Sequence, residues 1–194
     1  MRKYIRMINT ITIVTFIMAL LATGAFAATV GGVQIDDFVK VNGKVLQLNG
    51  ASMRTVMVFD VYAASLYLPG AETNAHDVLE NDGIRQMNMH FLRSVSDEKI
   101  AKGWTVGFKD NVEMTTKLTE QLEKFNAMLT PVEEGDVLTL TYIPNRGTSV
   151  NINEHALGTI KGKQFADALL ACWIGPKPGP GNDFKYEILG LGRE

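Results

Sequence analysis

A chain of 194 residues that is 46% hydrophobic and 21% charged, with a formal charge of −2, has the make-up of an ordinary globular domain and excludes a disordered or fibrous one. No cluster of Lys and Arg is available to neutralise phosphates, so nucleic acid is not an expected partner. The single cysteine, Cys172, excludes a disulfide within the chain.

Residues 1–27 read as an export signal. Arg2, Lys3 and Arg6 precede an apolar run from Ile8 to Leu21 that only Asn9, Thr10, Thr12 and Thr15 interrupt, and Ala25-Phe26-Ala27 supplies the small-x-small pattern of a cleavage site. A spanning helix needs roughly 20 apolar residues, more than this run contains. Cleavage after Ala27 is expected to leave residues 28–194 as one soluble domain with no stable membrane span, delivered to the periplasm or the medium. The removed segment holds three basic residues and no acidic ones, which moves the charge from −2 to about −5.

From Val33 to Leu48 apolar and polar residues alternate around Asn42-Gly43, the dipeptide that accepts positive φ at both centres of a type I′ turn, so a hairpin is predicted. Thr55 to Leu68 is almost continuously apolar and rich in Val, Tyr and Phe, as in a buried strand or pair of strands. A short helix is predicted from Asn74 to Gly83. In the strand that follows, Gln86 to Leu92, alternation puts Met87, Met89 and Phe91 on one face and Asn88 and His90 on the other.

Ser96 reads as an N-cap before Asp97 and Glu98, and Ile100, Trp104 and Phe108 follow at helical spacing. A second helix is predicted from near Asp110, with Glu113 completing a capping-box pair, and buries Met114, Leu118, Leu122, Phe125 and Leu129. Strand signals return at Asp136 to Ile143, Thr148 to Asn153 and Ala156 to Ile160, a three-stranded meander. The helix from Lys163 to Ile174 carries Phe165, Leu169 and Cys172 on one stripe and is expected to stop at a left-handed Gly175 before Pro176. A last helix is predicted from Asp183 to Leu189. The order of strands, helices, strands and helices gives an α+β fold, a mainly antiparallel sheet with helices on one face.

No phosphate-binding glycine loop, paired metal cysteines, HExxH or GxSxG is present, so no catalytic residue, metal or cofactor is assigned. His76, His90 and His155 sit far apart in unlike contexts. The informative stretch is Leu48-Asn49-Gly50-Ala51-Ser52-Met53-Arg54, followed by Val61-Tyr62-Ala63-Ala64-Ser65-Leu66-Tyr67-Leu68. A guanidinium at the edge of so apolar a region needs a counter-charge. For Arg54 that partner is either internal, with Asp60 nearest in sequence, or the carboxylate or phenolate of a bound apolar molecule gripped by the guanidinium fork.

The run LNGASMR, then VYAASLYL, FLRSVSDEKIAKGW, GDVLTLTYIP, GTIKGKQF and Trp173-Ile174-Gly175, in that order, resembles the chalcone isomerase-like family, its exported bacterial branch more than the plant enzymes. The resemblance covers nearly all of residues 28–194. It implies an open-faced β-sandwich, a large antiparallel sheet backed by helices. It also implies one of two activities: closure of a chalcone ring, as in the true isomerases, or fatty-acid binding without catalysis, as in related plant proteins. The family arginine corresponds to Arg54. The binders' tyrosine corresponds to Tyr62, where isomerases have threonine, and Tyr67 in the same element is a third candidate contact.

The lysine, tyrosine and asparagine that the isomerases need fall near His90 or Phe91, near Ile100 and near Gly107, and none is retained. The expected function is therefore non-catalytic binding of a lipophilic carboxylate by Arg54, Tyr62 and Tyr67. The alternatives are an isomerase of the intramolecular lyase type and a cell-envelope interaction protein without a ligand. The segment joining Arg54 to Tyr62 is several residues shorter than in the plant proteins. As one straight strand it would set the two roughly 26 Å apart at 3.3 Å per residue. Gripping one head group requires a turn between them, although no Gly, Pro or Asn marks one.

Overall fold

The computed structural model describes residues 28–192; the export signal and its cleavage site lie outside the described residues. Strands β1 (Ala28–Val30) and β2 (Val33–Ile35) form a small two-stranded sheet. Seven strands make the main sheet: β3 (Phe38–Val41), β4 (Lys44–Val56), β5 (Phe59–Leu68), β6 (Arg85–Phe91), β7 (Val137–Ile143), β8 (Gly147–Ile152) and β9 (His155–Ile160). They lie side by side in chain order, every pair antiparallel. Among the described residues five helices accompany them: α1 (Ala75–Glu80), α2 (Asp97–Asn111), α3 (Thr116–Asn126), α4 (Lys163–Ile174) and α5 (Asn182–Ile188). The α+β arrangement read from element order is the one found.

Alternation divides the sheet into two unlike faces. Register aligns Ala64, Met89, Leu138 and Ile152 in one cross-strand row and Leu66, Met87, Leu140 and Val150 in the next, and these bury against the helices. The rows between them, Ser65-Asn88-Thr139-Asn151 and Tyr67-Gln86-Thr141-Ser149, face the other way and are largely polar. Helix α4 is buried on every side, wedged between the sheet and the other helices, because its apolar residues run all the way round instead of forming a stripe. Trp104 of α2 packs edge-on against Trp173 with ring centroids 5.0 Å apart, and Phe108 and Phe125 both close on Phe165 at 5.6 Å. Such pairs add about 0.5–1.5 kcal/mol each beyond the area they bury.

Four local expectations change. The Asn42-Gly43 turn forms with positive φ at both residues (49° and 79°), but its first strand starts at Phe38, because the chain breaks off the sheet at Asp36-Asp37 and β2 pairs with β1 instead. The long apolar stretch is the pair of strands offered as one reading, joined at Met57-Val58, but Val56 to Phe59 are exposed where burial was expected. The second helix of the middle pair begins at Thr116, where the Thr115 hydroxyl accepts from the Leu118 N–H at 3.2 Å; Asp110 belongs to the last turn of α2, so no capping box forms there. Gly175 is not left-handed (φ −69°). It is glycine because a Cβ would stand 2.4 Å from both the Ala171 carbonyl and the Asn111 side chain.

Candidate functional site

The LNGASMR segment is built to seat a helix. Asn49 is the extra residue of a bulge between Leu48 and Gly50, and its side chain accepts from the Glu72 N–H (2.8 Å) while donating to the carbonyls of Glu72 (3.0 Å) and Ile188 (3.1 Å). Gly50 lies directly under the end of α5, where a Cβ would come within 2.1 Å of the Glu187 carbonyl. Ser52, next along the same face, donates to the Glu187 carboxylate at 2.5 Å. These contacts fix α5 on β4 and bring Arg54 to the helix-covered face, two residues further on.

The turn that the reach between Arg54 and Tyr62 demands is present. Val56 pairs with Phe59 across Met57-Val58, and Arg54 pairs directly with Tyr62, one rung above a register shift that leaves Val61 over. Met57 takes φ +59° without being Gly or Asn, which is why sequence gave no warning of it. Arg54 is half-buried and, among the described residues, forms no hydrogen bond or ion pair. Asp60 is not its partner: that carboxylate accepts from the Thr55 hydroxyl at 2.7 Å.

Tyr62 packs edge-on to Phe91 and Phe184, at 5.7 and 6.3 Å, and its oxygen accepts from the Trp173 indole N–H at 3.1 Å. Burial pushes the phenol up to about 12, against the opposing pull of that indole hydrogen bond and of the Arg54 charge. The phenol therefore stays protonated at neutral pH. A neutral O–H beside a guanidinium without a carboxylate can meet an anion with one donor and one charge.

Tyr67 stands apart. It sits five residues beyond Tyr62, so the pleat turns it to the opposite face, where it is buried with Ile35, Val41, Leu46 and Ile84 and donates to the Asp36 carbonyl at 2.9 Å. His90 shares that opposite face and, half-buried, has its imidazole pushed down by desolvation, partly offset by Asp36. The positions matching the isomerases' lysine, tyrosine and asparagine are occupied by packing. Phe91 and Ile100 lie in the core, and at Gly107 a Cβ would meet the Cys172 sulfur at 2.7 Å. Burial pushes the Cys172 thiol up to about 12, so it packs as a neutral group.

A second polar group at the far end of the same face escaped the sequence reading. Arg85, buried, donates to the Asp167 carboxylate and to the Val78 carbonyl (3.2 Å), and lies 4.9 Å over the Tyr142 ring. Lys163 also donates to Asp167 (2.6 Å), and Tyr142 donates to Asp82 (2.5 Å). Its signal was a charge on the face of Met87 and Met89, just before the predicted start of that strand. Between the two ends a cavity of about 20 Å³ lies against α4, lined by Leu66, Met87, Leu140, Leu169 and Trp173 with Arg85 and Tyr142 beside them. It holds roughly one water. Trp173 thus touches both Tyr62 and this cavity. Among the described residues no helix is long and apolar enough to cross a membrane, and no cluster of His, Cys, Asp and Glu is placed to hold a metal.

The comparisons with known proteins bear on the architecture. No curated protein matches the chain. Among solved structures, the crystal structure of a fatty-acid binding protein of Arabidopsis thaliana is similar, with a TM-score of 0.61 at 16% identity over 78% of this chain and 95% of that one. The likeness in fold is a curled antiparallel sheet backed by helices. A family model described as chalcone isomerase-like matches residues 27–190. With that match spanning most of its length and the sheet and helix layer to go with it, the chain belongs to the chalcone isomerase-like family.

Proposed function

We propose that this protein is a non-catalytic binder of a lipophilic carboxylate, such as a fatty acid, acting in the periplasm after cleavage near Ala27. The observation that carries the reading is the pairing of Arg54, free of any carboxylate of the described chain, with Tyr62 on the helix-covered face. The guanidinium takes the carboxylate in its fork, the Tyr62 hydroxyl donates to the same group, and the tail enters between sheet and helices past Trp173. The similar fold of the plant fatty-acid binding protein supports this choice of ligand. Tyr67, on the other face, is not part of the grip. An isomerase is disfavoured, since Phe91, Ile100 and Gly107 supply no donor for a developing enolate and His90, the other match for the lysine, lies on the opposite face of the sheet from Arg54 and Tyr62.

Delipidated protein is expected to take up a long-chain fatty acid, measured by titration calorimetry. Loss of a charge-assisted bidentate contact should weaken uptake at least about tenfold in Arg54→Ala, and Tyr62→Phe should cost several-fold. No uptake by the unaltered protein ends the proposal. Chalcone absorbance in the presence of protein should fall no faster than it does spontaneously.

One observation favours a second reading, an envelope interaction protein without a ligand: the pocket against α4, about 20 Å³ and partly open to solvent, is too small for an alkyl tail. Seating the tail at that pocket therefore requires α4 to move away from the sheet. Slower amide exchange in α4 in the presence of fatty acid, against unchanged exchange, separates the two readings.

A further inference from the structure

The turn joining β4 to β5 is a protruding apolar tip. Val56, Met57, Val58 and Phe59 are consecutive and expose 45%, 91%, 82% and 54% of their surface. A turn between strands ordinarily uses Gly, Asn or Asp, and here the first central residue takes φ +59° while the second does not, the pattern in which Gly is favoured first. Methionine at that position costs stability, and two bare side chains in water recover none of it within the chain. A contact outside the chain accounts for both.

Charge indicates which contact. Arg93 is exposed and holds its guanidinium 4.5 Å over the Phe59 ring, and Arg54 lies below the tip on the other strand. Two of the carboxylates at this end, Asp60 and Glu133, keep their charge but lie off the apex, each held by a hydroxyl, those of Thr55 and Ser94. Apolar residues at the apex with cations set back on long stems match the layering of a bilayer surface, acyl chains beneath anionic head groups. A second copy fits less well, because a stable dimer buries roughly 800 Å² on each partner and a two-residue apex offers a point, not a face.

We propose that the β4–β5 tip docks the protein on an anionic lipid surface. The tip begins two residues beyond Arg54, so docking brings the candidate carboxylate grip to the membrane. That consequence, unlike the docking itself, rests on the function proposed above.

The test is flotation with vesicles of phosphatidylethanolamine containing about a quarter phosphatidylglycerol. Wild type is compared with Met57→Gly/Val58→Ser, which gives the turn the residues it favours and should leave the melting temperature unchanged or raised. Both carry the same N-terminus, so any contribution from the residues before Ala28 cancels. The wild type should float, the double variant should partition at least about tenfold less, and Arg93→Glu should weaken flotation several-fold while reducing its salt sensitivity. Equal flotation of wild type and double variant overturns the proposal, as does a tip-dependent dimer in sedimentation without flotation. Fatty-acid uptake is measured separately. Flotation without uptake removes the binding reading and leaves the docking, and uptake without flotation does the reverse.

Discussion

Two arginines on one face of one sheet have opposite circumstances. Arg85 is 4% exposed and satisfied: Asp167 takes its charge, the Val78 carbonyl takes another N–H, and the Tyr142 ring covers its plane. Arg54 is half-buried at the other end and has no carboxylate among the described residues. The difference separates an arginine used to build from one available for binding. A buried guanidinium is tolerated only when its partners are already in place, and those partners then hold it against any ligand. An unpaired one is tolerated only where water or an outside anion can reach it.

Removing the built-in partner should have the largest effect. Asp167→Ala strands Arg85 in the core and takes the carboxylate from Lys163, a loss of about 3 kcal/mol. Urea unfolding monitored by tryptophan fluorescence measures it. A loss below about 1 kcal/mol would show that water reaches Arg85 and that the two arginines differ less than their burial indicates. The paired replacement Arg85→Met with Asp167→Leu should recover most of the stability, since apolar side chains of similar volume escape the desolvation penalty.

The contrast between the two ends was half legible. Alternation over Met87, Met89 and Phe91 gave the helix-covered face correctly, and the helix from Lys163 to Ile174 was found end to end because its apolar residues, unbroken from Ala168, run up to Gly175-Pro176. The same alternation, carried one residue back, puts Arg85 on the apolar face; starting the strand at Gln86 hid it. The odd spacing of Tyr62 and Tyr67 likewise implied opposite faces, so grouping them with Arg54 went against the pleat. The Met57-Val58 turn was illegible for a different reason. Turn composition records what the backbone prefers locally, and this turn keeps a methionine against that preference. The early end expected for α2 had yet another cause: Asp110 fits a helix start as well as a last turn, and only tertiary packing decides between them.

A smaller effect tests the packing at Gly107, the position near which the isomerases' asparagine falls. At Gly107 the space an asparagine would need is filled by the Cys172 sulfur, 2.7 Å from an added Cβ. Gly107→Asn should therefore cost about 2 kcal/mol by overpacking. Adding Cys172→Ala, which removes the obstructing atom, should return part of that loss, and a double-mutant cycle on thermal unfolding measures the coupling. Simple additivity would mean that helix α2 shifts as a whole, and the glycine would then lose its explanation.

The smallest expected change in stability at neutral pH comes from Arg54 itself. With no partner to strand, Arg54→Met should alter unfolding by no more than about 0.5 kcal/mol while uptake of the fatty acid collapses. Its signature lies at high pH. Tyr62 is raised by burial from 10.0 to about 12, and the Arg54 charge is one of the influences pulling it down. Between those values the unfolded chain releases the phenol's proton and the folded chain keeps it. The stabilisation of the neutral form is thus complete below pH 10 and lost as pH rises through 12. Removing the cation leaves the Trp173 hydrogen bond as the remaining pull against burial, so ultraviolet titration should show Tyr62 ionising later in Arg54→Met than in the wild type. An unchanged or earlier ionisation would mean that the guanidinium is turned away from the phenol, and the two could not then close on one carboxylate.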